Sequence, residues 1–221
     1  MNLSKVADFF KPDKCRLNIV GCGSVGSALA VMLARCGVTR MTLWDFDIVE
    51  AKNVANQAFS GADIGRPKVE ALRDILIGIN PDIEKDLKLM SEGWHGEVMS
   101  GYIFMAVDSI EIRRDIVNKH MLNSYVKAVF DFRTGLTDAQ HYAANWADRE
   151  QKKALLDTMQ FSHEDVVAET PVSACGVTLG VVTTVLAICT LGVNNYIHFI
   201  KGQGLKNMVL FDGDTFELDA F

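Results

Sequence analysis

The sequence predicts an α/β protein with a doubly wound, mostly parallel sheet that ends in antiparallel strands, and three observations predict it. First, the apolar run Arg16 to Val20 passes through Gly21-Cys22-Gly23-Ser24-Val25-Gly26 into a stretch, Ser27 to Arg35, with apolar residues at helical spacing. Second, apolar runs and helical stretches then alternate as far as Phe132, the order expected of parallel strands joined by helical crossovers. Third, the texture changes near residue 137, where an alternating segment and a closing hairpin pattern read as antiparallel. With 221 residues, 49% of them hydrophobic and 23% charged, the chain is expected to form one domain over residues 1–221 with a full core.

Taken in order, residues 1–14 read as a short amphipathic helix or arm that ends at Pro12. After the glycine turn, Gly37 is placed to end the first helix, and Met41 to Trp44 is a second strand that delivers Asp45 and Asp47 at its C-terminal end. Ile48 to Arg66 is a long polar connection of the kind usually kept for function. Pro67-Lys68 opens a helix whose buried stripe is Val69, Leu72, Ile75, Leu76 and Ile79, and Asn80-Pro81 stops it. Ile83 to Leu89 reads as an edge strand, and Tyr102 to Val107 as a buried strand ending at Asp108. Ser109 to His120 is a helix, and Val126 to Phe132 a strand followed by Arg133. Ala139 to Trp146 is then an antiparallel strand and Arg149 to Thr158 a polar helix. Met159 to Thr170 is a charged loop, so that 137–175 reads as a substrate-facing insertion and crossover. Val177 to Ile200 carries no Asp, Glu, Lys or Arg, yet its threonines, glycines and Asn194-Asn195 suit a helix buried in protein better than one crossing a bilayer. Met208 to Leu218 is a hairpin turning at Asp212-Gly213.

Composition narrows the function. A net charge of −6 with no Lys/Arg block excludes nucleic-acid binding through a general basic surface. Five cysteines without a C-x-x-C pair indicate neither a disulfide framework nor a zinc site, and a reducing cytoplasm is the simplest compartment. The chemistry is therefore sought at the strand ends. Gly21 permits a tight turn, Gly23 lets a phosphate approach the backbone, and Gly26 lets the helix pack closely, with the helix N-terminus facing the anion. Asp45 lies about twenty residues on, where a carboxylate accepts ribose hydroxyls, although a solvated strand-end carboxylate has the same position. Lys68, at a helix start behind a polar loop, is suited to neutralising nucleotide phosphates, and Asp108 to holding Mg²⁺ on them. Asn53 is suited to a phosphate or ribose oxygen. Each also has a bland reading: a solvated lysine, an N-cap aspartate ahead of Ser109, a turn-forming asparagine.

The blocks Asp45-Phe46-Asp47-Ile48-Val49-Glu50, Asn53-Val54-Ala55-Asn56-Gln57, Gly65-Arg66-Pro67-Lys68-Val69-Glu70 and Ile79-Asn80-Pro81, with Asp108 followed five residues on by Arg113, resemble the ThiF/MoeB family, prokaryotic relatives of ubiquitin-activating enzymes. Towards its end the chain is more similar to ThiF-type proteins of phages and mobile elements. The resemblance implies a Rossmann-like adenylation domain that uses ATP and Mg²⁺ to convert the C-terminal carboxylate of a ubiquitin-like or sulfur-carrier protein into an acyl-adenylate, acting as a homodimer. It implies that Gly21, Gly23 and Gly26 line the phosphates, that Asp45 binds ribose, that Asn53 and Lys68 contact phosphates and that Asp108 organises magnesium. Asp47 and Gln57 fall in the same cofactor-binding blocks. Cys175, just before the last long helix, has the place of the cysteine that carries the acyl group onward in some relatives; a small buried hydrophobe is its other reading.

The chain departs from the family at Asn56, where an arginine is expected. Arg66 and Arg133 are candidate substitutes. The N-terminal arm lacks the arginine segment that relatives lend to a partner subunit, and without paired C-x-x-C motifs no structural zinc is expected. Three other readings stay open: a non-catalytic nucleotide-binding scaffold, an NAD(P)-dependent oxidoreductase, and the branch that activates a carboxylate on tRNA, which the acidic charge disfavours.

Overall fold

The fully apolar runs become the centre of one sheet, because parallel strands covered by helices on both faces have no wet side. A computed structural model of the protein describes residues 2, 4–5, 8–160 and 180–221. Its strands are β1 (Leu17–Val20), β2 (Met41–Trp44), β3 (Lys88–Met90), β4 (Gly101–Met105), β5 (Val126–Thr134), β6 (Asp138–Asn145), β7 (Met208–Asp212) and β8 (Glu217–Ala220). They form a single sheet in the order β3-β2-β1-β4-β5-β6-β7-β8. The first five run parallel and the last three antiparallel, as the sequence predicts. Every residue of β1, β2 and β4 is buried, whereas β6 alternates.

The helices are α1 (Ser24–Arg35), α2 (Lys68–Ile79), α3 (Ile110–His120), α4 (Arg149–Asp157) and α5 (Val182–Ile200). One face of the sheet packs Leu29 and Leu33 of α1, Leu72 and Leu76 of α2, and Ile188 and Tyr196 of α5 around Phe104 and Phe130. The other packs Ile116 and Val117 of α3 and Leu155 of α4 against Ile103 and Val129. From β1 the chain winds outward to β2 and β3, then returns across β1 to β4 and winds the other way. That reversal opens a crevice beyond the C-terminal ends of β1 and β4.

Several expectations are corrected. Ile83 to Leu89 is not one strand: Pro81–Lys85 forms a 3-10 turn, started by Asn80, whose side chain accepts the Asp82 N–H. A local cap of this kind competes with the sheet, so only Lys88–Met90 pairs, at the edge of the sheet as expected. α1 begins three residues before Ser27, because the glycine turn feeds directly into it. The long connection from Ile48 contains two 3-10 turns, Ala51–Ala55 and Gly61–Asp63, each closed by a reciprocal capping box. In the arm, the described residues form turns and not a helix, and Phe10 enters the core. The antiparallel strand expected over Ala139 to Trp146 is β6, an interior strand of the sheet. Most of the charged loop, and Cys175 with it, lie outside the described residues. By length and composition α5 would suffice to cross a membrane, but it lies on α1, β5 and β6 with Thr184, Ile188, Gly192 and Asn195 buried.

Candidate active site

The crevice is a cleft of about 1420 Å³ lined from the glycine turn, the 45–57 segment, Lys68, the 93–96 loop, the end of β4 with the start of α3, and the end of β5. Gly21 and Gly26 have the steric roles that the sequence predicts for them. Gly21 has φ +91°, and a Cβ there would lie 2.6 Å from the Ala106 carbonyl oxygen, so the turn excludes any side chain. At Gly26 a Cβ would sit 1.8 Å from the Gly21 carbonyl oxygen. At Gly23 the nearest atom would be the Gln57 amide nitrogen at 4.0 Å, which leaves the backbone open to the cleft. α1 starts here with no side-chain cap and no acidic residue in its first turn, so no side chain satisfies its first N–H groups. Cys22 within the turn is fully buried, and burial pushes its thiol well above the ordinary value, which rules it out as a nucleophile.

Asp45 is nearly buried. One carboxylate oxygen accepts the Cys22 N–H at 2.6 Å and the other the Asp47 N–H at 2.8 Å, so it braces the glycine turn from β2. Burial raises its pKa against the lowering effect of these bonds and of Lys68. The lysine is buried too, and its Nζ donates to Asp47 Oδ2 at 2.7 Å. Asn53 accepts the Glu50 N–H at 2.8 Å and thereby shapes its own turn, the bland reading, while still lining the cleft. Gln57 also lines it, and its Oε1 is buried without a partner. Asp108 is exposed at the cleft rim, and the N-cap of α3 is Ser109, whose Oγ accepts the Ile112 N–H at 3.2 Å. A single rim carboxylate fits Mg²⁺, which keeps several waters and takes its remaining oxygens from phosphate. Among the described residues no cluster of three or more His, Cys, Asp or Glu side chains could hold a metal by itself.

The structure brings together Gly21, Gly23, Asp45, Asp47, Asn53, Gln57, Lys68 and Asp108 on one cleft, with Gly26 packed directly behind the turn. Asn56 lies on it beside Gly180, where an added Cβ would be 3.1 Å from the Asn56 amide nitrogen. Of the two candidate substitutes, Arg66 is turned to Asp63 and Asp74 away from the cleft. Arg133 is on it, its Nε donating to Asp131 Oδ2 at 2.8 Å and its terminal nitrogens to the Thr158 carbonyl and hydroxyl. Arg113 also pairs with Asp131 and donates to the Val107 carbonyl. This buried Asp131 between two arginines was not legible as a unit, because its members come from α3 and β5. Trp44, Trp94 and His95 were missed as well, although Gly93 and Gly96 around the last two were a signal of a shaped loop.

The fold and the cleft define a doubly wound α/β protein with a glycine turn at its switch point. The chain belongs to the ThiF family, whose profile matches residues 7–220. Over 66 residues it is 46% identical to ubiquitin-like modifier-activating enzyme 5 of Caenorhabditis elegans, a stretch that is 30% of this chain and 16% of that protein. Over 69 residues it is 48% identical to molybdopterin-synthase adenylyltransferase of Escherichia coli K12, 31% of this chain and 28% of that protein. The matched stretches are thus well under two thirds of these relatives' lengths. Among solved structures, E. coli MccB with AMPCPP and MccA superposes with a TM-score of 0.76 at 16% identity, covering 94% of this chain and 63% of that one. MccB with ATP gives 0.73 at the same identity and coverage. At this identity the likeness bears on the fold.

Proposed function

We propose that the protein is an ATP-dependent adenylyltransferase that activates the C-terminal carboxylate of a ubiquitin-like or sulfur-carrier protein as an acyl-adenylate. The observation that carries this reading is the buried Lys68 ammonium on the same cleft as the uncapped N-terminus of α1. A dinucleotide site needs the helix end alone; a triphosphate, whose charge shifts towards the leaving pyrophosphate, also calls for a fixed cation. The relatives' names, and the neighbour solved with ATP, support the same class.

In the proposed reaction a carboxylate oxygen of the carrier attacks the α-phosphorus, the bond to the β-phosphate breaks, and pyrophosphate leaves. The glycine turn and α1 hold the phosphate chain, Asp45 accepts ribose hydroxyls, and Lys68 neutralises the departing charge. Asn53 and Gln57 supply amide groups to phosphate or ribose oxygens. Magnesium, held at Asp108, would screen the phosphates when bound. In a later step the Cys175 thiolate is proposed to attack the acyl-adenylate carbonyl, forming a thioester as the bond to the phosphate breaks and AMP leaves, and a homodimer to form through the exposed α5 face near Leu186. Exchange of labelled pyrophosphate into ATP that depends on a small carrier ending in Gly-Gly is the expected result. No exchange across a panel of such carriers, or tighter binding of NAD than of Mg-ATP, overturns the reading. ATP binding without any exchange would favour the scaffold, which the asparagine at 56 makes a specific alternative.

A further inference from the structure

Among the described residues two buried side-chain atoms have no hydrogen-bond partner, Trp44 Nε1 and Gln57 Oε1, and both residues line the cleft. Buried polar groups are nearly always paired, so two orphans on residues of one cleft single out where a ligand could add a contact. Gln57 turns its amide nitrogen towards Gly23, and its orphan Oε1, an acceptor, calls for a donor such as a hydroxyl and not for a phosphate oxygen. Trp44 is the last residue of β2, 5% exposed, and packs in the apolar cluster that contains Val20 and Ile110, against which Val107, Ile112 and Trp94 also pack. The neighbouring polar groups already have partners. Trp94 Nε1 donates to the Glu97 carbonyl at 2.9 Å, His95 Nε2 lies 2.6 Å from the Glu92 carbonyl, and the Ser109 hydroxyl donates to Glu111. What remains is an apolar wall with one unmatched donor, suited to a flat heterocycle that carries an acceptor on its edge.

We propose that Trp44 is a specificity-determining residue for the nucleotide base: its indole N–H donates to a ring nitrogen of a purine. Phosphates are excluded here because their donors are at the glycine turn and Lys68, and ribose hydroxyls because Asp45 serves them. The inference rests on the reading of the cleft as a nucleotide site, and its test separates the two.

The full-length protein is titrated with Mg-ATP by calorimetry as wild type and as Trp44→Phe, which keeps an aromatic body and deletes the N–H. The variant is expected to bind about tenfold more weakly, the worth of one hydrogen bond to an otherwise orphaned donor. Its melting temperature should move by no more than about 5 °C, since no bond of the free protein is lost. Among 1-deaza, 3-deaza and 7-deaza ATP, one should bind wild type about tenfold more weakly than ATP does and show no such deficit with the variant. In wild-type protein labelled with ¹⁵N-tryptophan, ATP should move the Trp44 indole resonance downfield, whereas Trp146, whose Nε1 already donates to the His120 carbonyl at 2.7 Å, should not respond in this way. Should Trp44→Phe fail to fold, the wild-type resonance and the deaza series decide. Equal ATP affinity in variant and wild type, or an unmoved Trp44 resonance at saturating ATP, overturns the inference while leaving the nucleotide site intact. Wild-type protein that binds no nucleotide overturns both.

Discussion

Acid should unfold this protein partly through His141. The imidazole is fully buried against Phe130 and Phe132, with ring centroids 6.0 and 4.5 Å away. Nδ1 donates to the Asp131 carbonyl at 3.0 Å, and Nε2 accepts from Asn195 Nδ2 at 3.1 Å, so both nitrogens are used and the ring is neutral. A proton on Nε2 would oppose the Asn195 donor. Burial accordingly lowers its pKa from 6.5 to about 4. For a depressed histidine the unfolded chain takes the proton first, so stability falls as pH drops below about 6.5 and levels off below about 4. The ceiling is about 3.4 kcal/mol, and between about pH 7.5 and pH 4.5 the loss is about 2.5 kcal/mol. His141→Phe keeps the stack but leaves the Asp131 carbonyl and the Asn195 amide short of a partner, which costs about 1–3 kcal/mol at every pH. What it removes is the pH-dependent part. Urea denaturation of both proteins at the two pH values should give a difference of differences near 2.5 kcal/mol. Identical pH slopes would refute the assignment. The consequence reaches the cleft, because the carboxylate of the same Asp131 holds Arg113 and Arg133.

Two substitutions probe the cleft itself. Gly26→Ala puts a methyl group 1.8 Å from the Gly21 carbonyl oxygen, so it should lower the melting temperature and abolish nucleotide binding, whereas Gly61→Ala, with nothing within 4 Å, should do neither. Lys68→Met should reduce carrier-dependent pyrophosphate exchange by about a hundredfold or more with a smaller effect on ATP affinity, and undiminished exchange would remove Lys68 from the chemistry.

Most of the parallel half of the fold was legible because burial on both faces leaves its strands apolar throughout, and because glycine and proline mark the turns between them. The failures have physical causes. Ile83 to Leu89 carries a strand-like alternation, yet the Asn80 cap and Pro81 favour a 3-10 turn, a competition between local hydrogen bonds that periodicity does not register. The carboxylates and the lysine of the cleft were legible because strand ends and helix starts place them there. Their mutual contacts were not: that Asp45 braces Cys22, or that Lys68 reaches Asp47 across 21 residues, depends on how β2 and α2 meet. Trp44 read simply as the last residue of an apolar strand, since nothing in sequence reports whether an indole N–H has found a partner.

The pairing of Lys68 with Asp47 bears on how a cleft with an asparagine at 56 would receive a triphosphate. The lysine side chain is 8% exposed and the aspartate 50%. A buried ammonium left alone is costly, so in the free protein the cation requires a counter-ion, and Asp47 provides one from the solvent side. An entering phosphate offers the same charge with more oxygens. Exchanging one anion for another at Lys68 keeps the buried cation paired throughout, and the displaced carboxylate, already half in water, recovers its hydration at little cost. The adjacent Asp45 cannot leave in the same way, because the Cys22 and Asp47 N–H groups depend on it. On the proposed reading the two aspartates of this segment have distinct roles: Asp45 holds the glycine turn in shape, and Asp47 occupies the lysine until a phosphate replaces it.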